Sequence, residues 1–436
     1  MSAGKNVNVH IAKSVGDRIV DKMNGKTVAE FIPRRADQVI LMSSKSSLIE
    51  NKTICVDPAL LFQRLVSVAK RSEKEESPYF KYELCSYPTA LFDNNGLLRN
   101  ADKAELAKAI VTMTSYDLTK NTITGRNHSF VLDGLSIIHR LPWPKNESYA
   151  SIFETIWKYI FTKYGNRPTI VFDGYGHPST KDIAHLKRTR SVGKEVVFAP
   201  EMKLTTTKED FLSSTKNKTK FIEQFGKFLS EKGCEVIYAD GDADVLIVQQ
   251  AVSSAMKHST ILIGDDTDLL ILLLHHALAV TFPIYLVSEP KKGKNGKTWD
   301  ILKIVEVLGS NICHLLLFTH AILGCDTTSK PYGLGKGSAL KLLKNNEEFR
   351  NLAKVFYNPN ATKQEVDTAG ENAMALIYGG NNNEDIDSLR YKIFTRKVSA
   401  AMSFVKPHDI PPTSAALVHH SRRVYLQVTK IINLRK

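Results

Sequence analysis

The sequence predicts an α/β fold whose central sheet is mostly parallel. Short apolar runs rich in β-branched residues lack polar alternation, which is typical of strands buried on both faces. Helix-length segments separate these runs, and the repeated order strand, helix, strand indicates parallel pairing. Hydrophobic residues make up 43% and charged residues 24% of the 436-residue chain, which excludes collagen-like, wholly disordered and coiled-coil proteins.

Each of the predicted strands ends in an aspartate. They are residues 128–133, 169–173, 235–240 and 260–266. Helices are predicted before and between them, at residues 58–71, 103–113, 149–164, 208–232 and 242–256, and a last helix begins near Thr413. The apolar stretch 269–287 contains His275, His276 and Pro283. It is therefore predicted to be the end of a buried helix followed by a strand, and no membrane-spanning segment is expected.

Charge and cysteine content narrow the class of protein. The net charge is +14 and the isoelectric point is about 9.3, which favours a polyanionic partner such as nucleic acid. The five cysteines form no Cys-x-x-Cys pair, which argues against a zinc knuckle and against a disulfide framework. The first ten residues lack the apolar segment of a signal peptide, so an intracellular protein is expected.

Aspartates come in pairs after two of the predicted strands. Asp242 and Asp244 are separated by one residue, as are Asp266 and Asp268. Because the carboxyl ends of parallel strands meet at one edge of a sheet, these pairs are expected to lie near Asp133 and Asp173. So many carboxylates raise one another's pKa unless a cation lies among them, and oxygen-only ligands suit Mg²⁺ or Mn²⁺. For any single strand, an aspartate that caps the next helix explains the pattern equally well.

The acidic motifs resemble those of the flap endonuclease group of structure-specific nucleases, which belongs to the PIN-like superfamily. The resemblance runs, in order, through the segments 131–133, 171–174, 240–244, 265–268 and 323–326, and it covers about residues 126–350. It implies a three-layer PIN-like core and a metal-dependent nuclease in the nucleus, acting on branched or single-strand-bearing DNA. It further implies two Mg²⁺ or Mn²⁺ ions, held by Asp133, Asp173, Asp242, Asp244, Asp266, Asp268 and Asp326.

The resemblance also implies a helix-turns-helix element that binds a duplex backbone and a monovalent cation. The sequence after Asp326 contains Gly333, Gly335, Lys336 and Gly337. Glycines permit a tight turn whose backbone N–H groups face a phosphate, and Lys336 adds positive charge. These four residues are the predicted DNA contacts.

A helical arch is the third implied element. Asp173 and Asp242 are 69 residues apart, which leaves room for an arch over a single-stranded end. Within this interval, Lys181 and Arg188 match the two basic arch residues that position the scissile phosphate. They are seven residues apart and would share one helix face; the alternative is that both are solvated surface charges.

Two departures from the family keep other functions open. Asp242 and Asp244 stand where the family usually has glutamates, and residues 1–125 precede the predicted core. This α+β extension could cover the duplex platform or the substrate exit, and residues 351–436 are predicted to form a mostly helical region that packs on the core. The alternatives to a DNA nuclease are a catalytically inactive PIN-like nucleic-acid-binding protein and a PIN-like ribonuclease.

Overall fold

The structure is a computed structural model that describes most of the chain. The described residues are 12–26, 46–49, 52–55, 58–69, 78–118, 123, 127–144, 146–165, 167–174, 194–290, 295–381 and 383–433. Lys181 and Arg188, and with them the predicted arch, lie outside these ranges, so their roles stay predictions.

A six-stranded sheet organises the fold. Its strands are β3 (Ser129–Asp133), β4 (Thr169–Phe172), β5 (Glu235–Tyr238), β6 (Thr260–Ile263), β7 (Ile284–Ser288) and β8 (Lys297–Asp300), which follow a separate hairpin of β1 (Ser46–Ile49) and β2 (Lys52–Cys55). The spatial order is β5-β4-β3-β6-β7-β8. The first five strands in this order pair in parallel, and only β8 is antiparallel to its neighbour β7. The prediction of a mostly parallel sheet is confirmed.

Helices precede, separate and follow the strands of the sheet, and the last of them ends at Asn433. They are α1 (Ala12–Met23), α2 (Pro58–Ala69), α3 (Lys103–Thr114), α4 (Gly134–Arg140), α5 (Tyr149–Tyr164), α6 (Lys208–Ser213), α7 (Thr215–Glu231), α8 (Asp244–Ala255), α9 (Thr267–His276), α10 (Ile301–Leu308), α11 (Ser310–Ile322), α12 (Lys336–Asn345), α13 (Glu347–Val355), α14 (Lys363–Ile377), α15 (Ile386–Ala400) and α16 (Ser414–Asn433). Short 3₁₀ turns lie at Pro78–Lys81, Ala277–Ala279 and Pro407–Asp409.

Consecutive residues of the central strands enter two different hydrophobic cores. In β3, Val131 packs in the first core and Leu132 in the second. In β6, Leu262 belongs to the first core, whereas Ile261 and Ile263 belong to the second. The absence of polar alternation in these strands therefore has a direct cause: apolar layers cover both faces of the sheet.

The first core also contains side chains that precede and follow the sheet in the sequence. Phe80 and Leu106, which precede the sheet, pack in it together with Leu417 and Val428 of α16. Leu106 and Leu417 are completely buried. Residues before position 126 and after position 350 thus share an interior with the sheet, whereas the three-part division of the chain stays a prediction.

No single helix in the ranges given above combines the length and apolar composition needed to cross a membrane. The pair Ile301–Leu308 and Ser310–Ile322, which is bent by 98°, meets that test only when its two helices are taken together.

Candidate metal centre

The strand order brings the predicted acids to one edge of the sheet. Asp133 is the last residue of β3, and Asp173 directly follows β4. Asp244 begins the helix after β5, and Asp266 precedes the helix after β6. Because β5, β4, β3 and β6 are consecutive parallel neighbours, all four loops leave the same edge.

Three of the carboxylates form a close group. One oxygen from each of Asp244, Asp266 and Asp268 lies within 4.8 Å of the others, and all three residues are half-buried. Oxygen donors at this spacing suit a hard divalent ion such as Mg²⁺ or Mn²⁺. The residues present therefore fit the predicted metal.

Two of the acids cap helices and face the site at the same time. Asp266 Oδ1 accepts a hydrogen bond of 3.0 Å from the Asp268 backbone, and Asp133 Oδ1 accepts one of 3.0 Å from Ser136. The second oxygen of Asp266 nevertheless points into the acid group, 3.4 Å from Lys103 Nζ. Helix capping and membership of the site are therefore compatible, although the sequence presented them as alternatives.

Lys103 lies among the acids, a position that no local sequence pattern indicates. It is the first residue of α3, and Asp102 caps that helix. Its Nζ is 2.8 Å from Asp268 Oδ2 and 3.0 Å from Asp326 Oδ2, besides the contact with Asp266. Burial by itself lowers the pKa of Lys103, but the three carboxylates outweigh burial and raise this pKa well above its usual value. The ammonium group thus remains charged inside the acid group.

Asp326 reaches the site through a tight turn after α11. Gly324 adopts a φ of +96°, which L side chains rarely adopt, and a Cβ there would lie 2.7 Å from the Lys330 backbone nitrogen. The backbone N–H of Cys325 donates to Thr328 Oγ1 at 3.0 Å. Glycine at position 324 is therefore required for the turn that brings Asp326 to Lys103.

The remaining acids lie around this centre in different ways. Burial, together with the charges of Asp173 and Asp266, raises the pKa of Asp133 to about 6. Asp173 Oδ1 accepts a hydrogen bond of 2.7 Å from the Ala243 backbone, which ties β4 to the start of α8. Asp242 is exposed. The structure thus groups Asp244, Asp266 and Asp268 most closely, links Asp326 to them through Lys103, and places Asp242 at the rim.

The second side of Asp268 faces a buried chain of polar groups. His320 Nε2 is 3.3 Å from Asp268 Oδ1, and His320 Nδ1 is 3.0 Å from Lys336 Nζ. The imidazole of His320 therefore lies between the Asp268 carboxylate and the Lys336 ammonium. Burial alone would raise the pKa of Asp268, but His320 and Lys103 hold it well below its usual range.

Lys336, a predicted phosphate contact, lies inside the protein. Its side chain is only 1% exposed, and burial lowers its pKa to about 8. The sequence Gly-Leu-Gly-Lys resembles a phosphate-binding turn, but contacts with His320, distant in sequence, draw the lysine inward.

The glycine turn itself is covered by α3. A Cβ at Gly335 would lie 2.1 Å from Glu105 Oε1, and one at Gly337 would lie 3.6 Å from the Ala109 Cβ. Gly333 has a φ of +74°, as a tight turn requires. The turn predicted from the sequence is present between α11 and α12, but residues before position 126 pack on it. DNA binding by Gly333, Gly335, Lys336 and Gly337 and the monovalent cation site stay predictions.

A cleft of about 890 Å³ opens beside the acids. Lys103, Asp133, Ser136 and Asp266 line it together with Arg140. Arg140 is held by Asp265 and Glu289. Asp265 therefore belongs to this separate ion-pair group, although it is adjacent to Asp266 in sequence.

Comparisons with known proteins give limited matches. A family model described as a domain of unknown function, DUF8702, matches residues 1–83. No curated protein matches the chain. Among solved structures, the catalytic core of Rad2 in complex with DNA substrate is similar at 17% sequence identity, covering 70% of this chain and 92% of that chain, with a TM-score of 0.33. The similarity to this structure is distant.

Proposed function

We propose that this protein hydrolyses phosphodiester bonds in DNA with the help of divalent metal ions. The observation that carries the proposal is the group of Asp244, Asp266 and Asp268, whose carboxylate oxygens lie within 4.8 Å of one another at the carboxyl edge of a parallel sheet. In open α/β sheets, ligands bind outside this edge. The net charge of +14 favours a polyanionic substrate.

In this proposal the acidic residues of the site are the metal ligands. Asp244, Asp266 and Asp268 would hold one Mg²⁺ or Mn²⁺ ion, and Asp133, Asp173, Asp242 and Asp326 would complete a second position. Bound ions of this kind activate water and stabilise the leaving oxygen of a phosphodiester. Asp268 stays ionised because His320 and Lys103 hold its pKa low, so it can serve as a ligand across the whole neutral range.

The cleft beside Asp133 and Asp266 would admit the substrate. Its volume of about 890 Å³ gives room for a nucleotide and its phosphate next to the acids. Branched or single-strand-bearing duplexes are the proposed substrates, because the acidic motifs resemble those of flap endonucleases. A location in the nucleus stays part of the proposal.

A cleavage assay tests this function. The purified protein would be incubated with labelled flap DNA, blunt duplex, single-stranded DNA and single-stranded RNA, with Mg²⁺, with Mn²⁺ and with a chelator. We expect cleavage of the flap that depends on the metal. Cleavage of RNA alone would instead identify a ribonuclease.

One observation favours a second candidate, a nucleic-acid-binding protein that does not cut. The Lys103 ammonium contacts Asp266, Asp268 and Asp326, so a cation of the chain itself already neutralises part of the site. Binding of DNA without cleavage in either metal would support this candidate and contradict the nuclease.

A further inference from the structure

Lys103 and a divalent ion would use the same ligands. Asp266 and Asp268 contact the Lys103 ammonium at 3.4 and 2.8 Å. The same two residues form the close carboxylate group with Asp244. An ammonium and a divalent ion in one group of carboxylates would repel each other strongly, because they would lie within a few ångströms in a half-buried site.

The position of Lys103 permits its side chain to leave without moving the helix. The side chain is 23% exposed and lines the large cleft, so its long flexible stem can turn towards solvent. By contrast, Leu106 and Ile110 of the same helix are completely buried in the first core. Displacement of α3 as a whole would expose both, whereas a change of the Lys103 rotamer exposes neither.

We propose that Lys103 is an internal cation that a divalent metal ion displaces, so that this side chain sets the metal affinity of the site. In the metal-free protein the ammonium compensates the charge of Asp266, Asp268 and Asp326. When the metal enters, the ammonium moves into the cleft. This inference rests on the proposed metal site, but it does not depend on cleavage.

Metal titration of the full-length protein tests the exchange. Binding of Mn²⁺ would be measured by electron paramagnetic resonance of the free ion for the wild type, for Lys103→Met and for Lys108→Met. Methionine has nearly the shape of lysine without its charge. Lys108 is an exposed residue of the same helix and serves as the matched control. We expect Lys103→Met to bind Mn²⁺ about tenfold to a hundredfold more tightly than the wild type, because the competing charge is gone, and Lys108→Met to bind as the wild type does.

Two results would overturn the proposal. Equal Mn²⁺ affinity of Lys103→Met and the wild type would show that the ammonium and the metal do not compete. Binding by Lys103→Met but none by the wild type, even at about 10 mM Mn²⁺, where weak protein sites for divalent ions fill, would show that the lysine replaces the metal permanently.

A second measurement uses the unmutated chain, in case Lys103→Met fails to fold. Lysines labelled with ¹³C at Cε would be observed by NMR during a Mg²⁺ titration, and Lys103→Arg would assign the signal. We expect the Lys103 signal to shift as the metal binds, and an unchanged signal at metal saturation would contradict the exchange. Cleavage of flap DNA is measured separately. Metal exchange without cleavage would support this inference and contradict the proposed nuclease. Cleavage without exchange would support the nuclease and contradict this inference.

Discussion

Lys103 and Arg390 are both withdrawn from bulk water, Lys103 in part and Arg390 almost completely, and their partners differ in kind. Lys103 is surrounded by the carboxylates of Asp266, Asp268 and Asp326. Arg390 is 1% exposed and donates to three backbone carbonyls, those of Phe80 at 2.9 Å, Tyr82 at 3.3 Å and Pro411. The nearest carboxylate oxygen, from Glu83, is 4.0 Å away.

The pKa of each side chain reflects this difference. Burial lowers the pKa of Arg390, and Glu83 and Asp387 offset burial only in part. The carboxylates around Lys103 more than offset its burial and raise its pKa. An arginine nevertheless stays charged, because its ordinary pKa is far above neutral.

The comparison separates a structural cation from an exchangeable one. The carbonyls around Arg390 belong to fixed backbone in the segment 80–82 and before α16, so this side chain ties residues near the start of the described core to the C-terminal helices. The acids around Lys103 carry more negative charge than one ammonium neutralises, so another cation can take its place. Arg390 is therefore expected to matter for stability, and Lys103 for metal binding.

The largest expected effect is loss of activity at the carboxylate centre. Asp268→Asn removes a charge that contacts Lys103 and belongs to the three-acid group, so we expect cleavage of flap DNA to fall about a thousandfold, or about 4 kcal/mol in the barrier. DNA binding should be retained or tighter, because an anion is removed from a phosphate-binding surface. Single-turnover kinetics and a binding assay measure the two quantities. Asp367→Asn is the control, because Asp367 pairs with Arg422 on the C-terminal helices, and this variant should cleave as the wild type does. Equal activity of the two variants would contradict the assignment of Asp268 to the metal site.

The sequence allowed the mostly parallel sheet and the edge that carries most of the acids to be predicted, for physical reasons. Buried parallel strands are recognisable from their apolar runs, and the strand ends then place Asp133, Asp173, Asp244 and Asp266 at one edge. A single helix was predicted over residues 208–232, but the chain forms two, because Ser214 ends α6 and its side chain caps α7.

Contacts between residues distant in sequence could not be predicted in this way. Lys103 is 163 residues from Asp266, and its local pattern indicates only the start of a helix. The burial of Lys336 depends in the same way on His320 and on the packing of α3 over the glycine turn. Local patterns give the elements and their ends, whereas the partners of a long charged side chain depend on tertiary packing.

Loss of Arg390 is expected to give the largest change in stability. Arg390→Met leaves three buried carbonyl groups without their donors, which costs about 3–5 kcal/mol of the free energy of unfolding. Denaturant unfolding with and without Mg²⁺ measures this loss, and we expect it to be the same in both conditions. Lys103→Met should instead show a smaller loss that Mg²⁺ reverses. If Mg²⁺ rescued Arg390→Met, or left Lys103→Met unchanged, the distinction between the two cations would be wrong.

A buried histidine shows what backbone carbonyls do for a group whose ordinary pKa is lower than that of arginine. His420 is completely buried, and its Nε2 lies 2.8 Å from the Ile322 carbonyl oxygen. Burial lowers its pKa to about 4, so a neighbouring carbonyl does not keep this group charged.

The lowered pKa of His420 predicts how stability depends on pH. Between about pH 6.5 and 4 the unfolded chain binds a proton that the folded chain excludes, so stability is present above pH 6.5 and is lost as the pH falls to 4, by up to about 3 kcal/mol. In His420→Gln the amide can keep the hydrogen bond to Ile322 but does not titrate. We therefore expect the free energy of unfolding to fall more steeply with decreasing pH for the wild type than for His420→Gln, and parallel curves would refute the assignment.

The smallest effect is expected at Glu83, and it tests whether Arg390 depends on carbonyls alone. Glu83 Oε1 accepts hydrogen bonds from the Thr413 backbone at 3.0 Å and from Thr413 Oγ1 at 2.8 Å, and both can persist in Glu83→Gln. Only the distant charge facing Arg390 is lost, so we expect a decrease of at most about 1 kcal/mol in the free energy of unfolding. Unfolding of Glu83→Gln, Arg390→Met and the double variant gives the coupling energy between the two side chains. A coupling as large as the whole effect of Arg390→Met would mean that the carboxylate, rather than the backbone carbonyls, holds the arginine, and the two cations would then be bound in the same way.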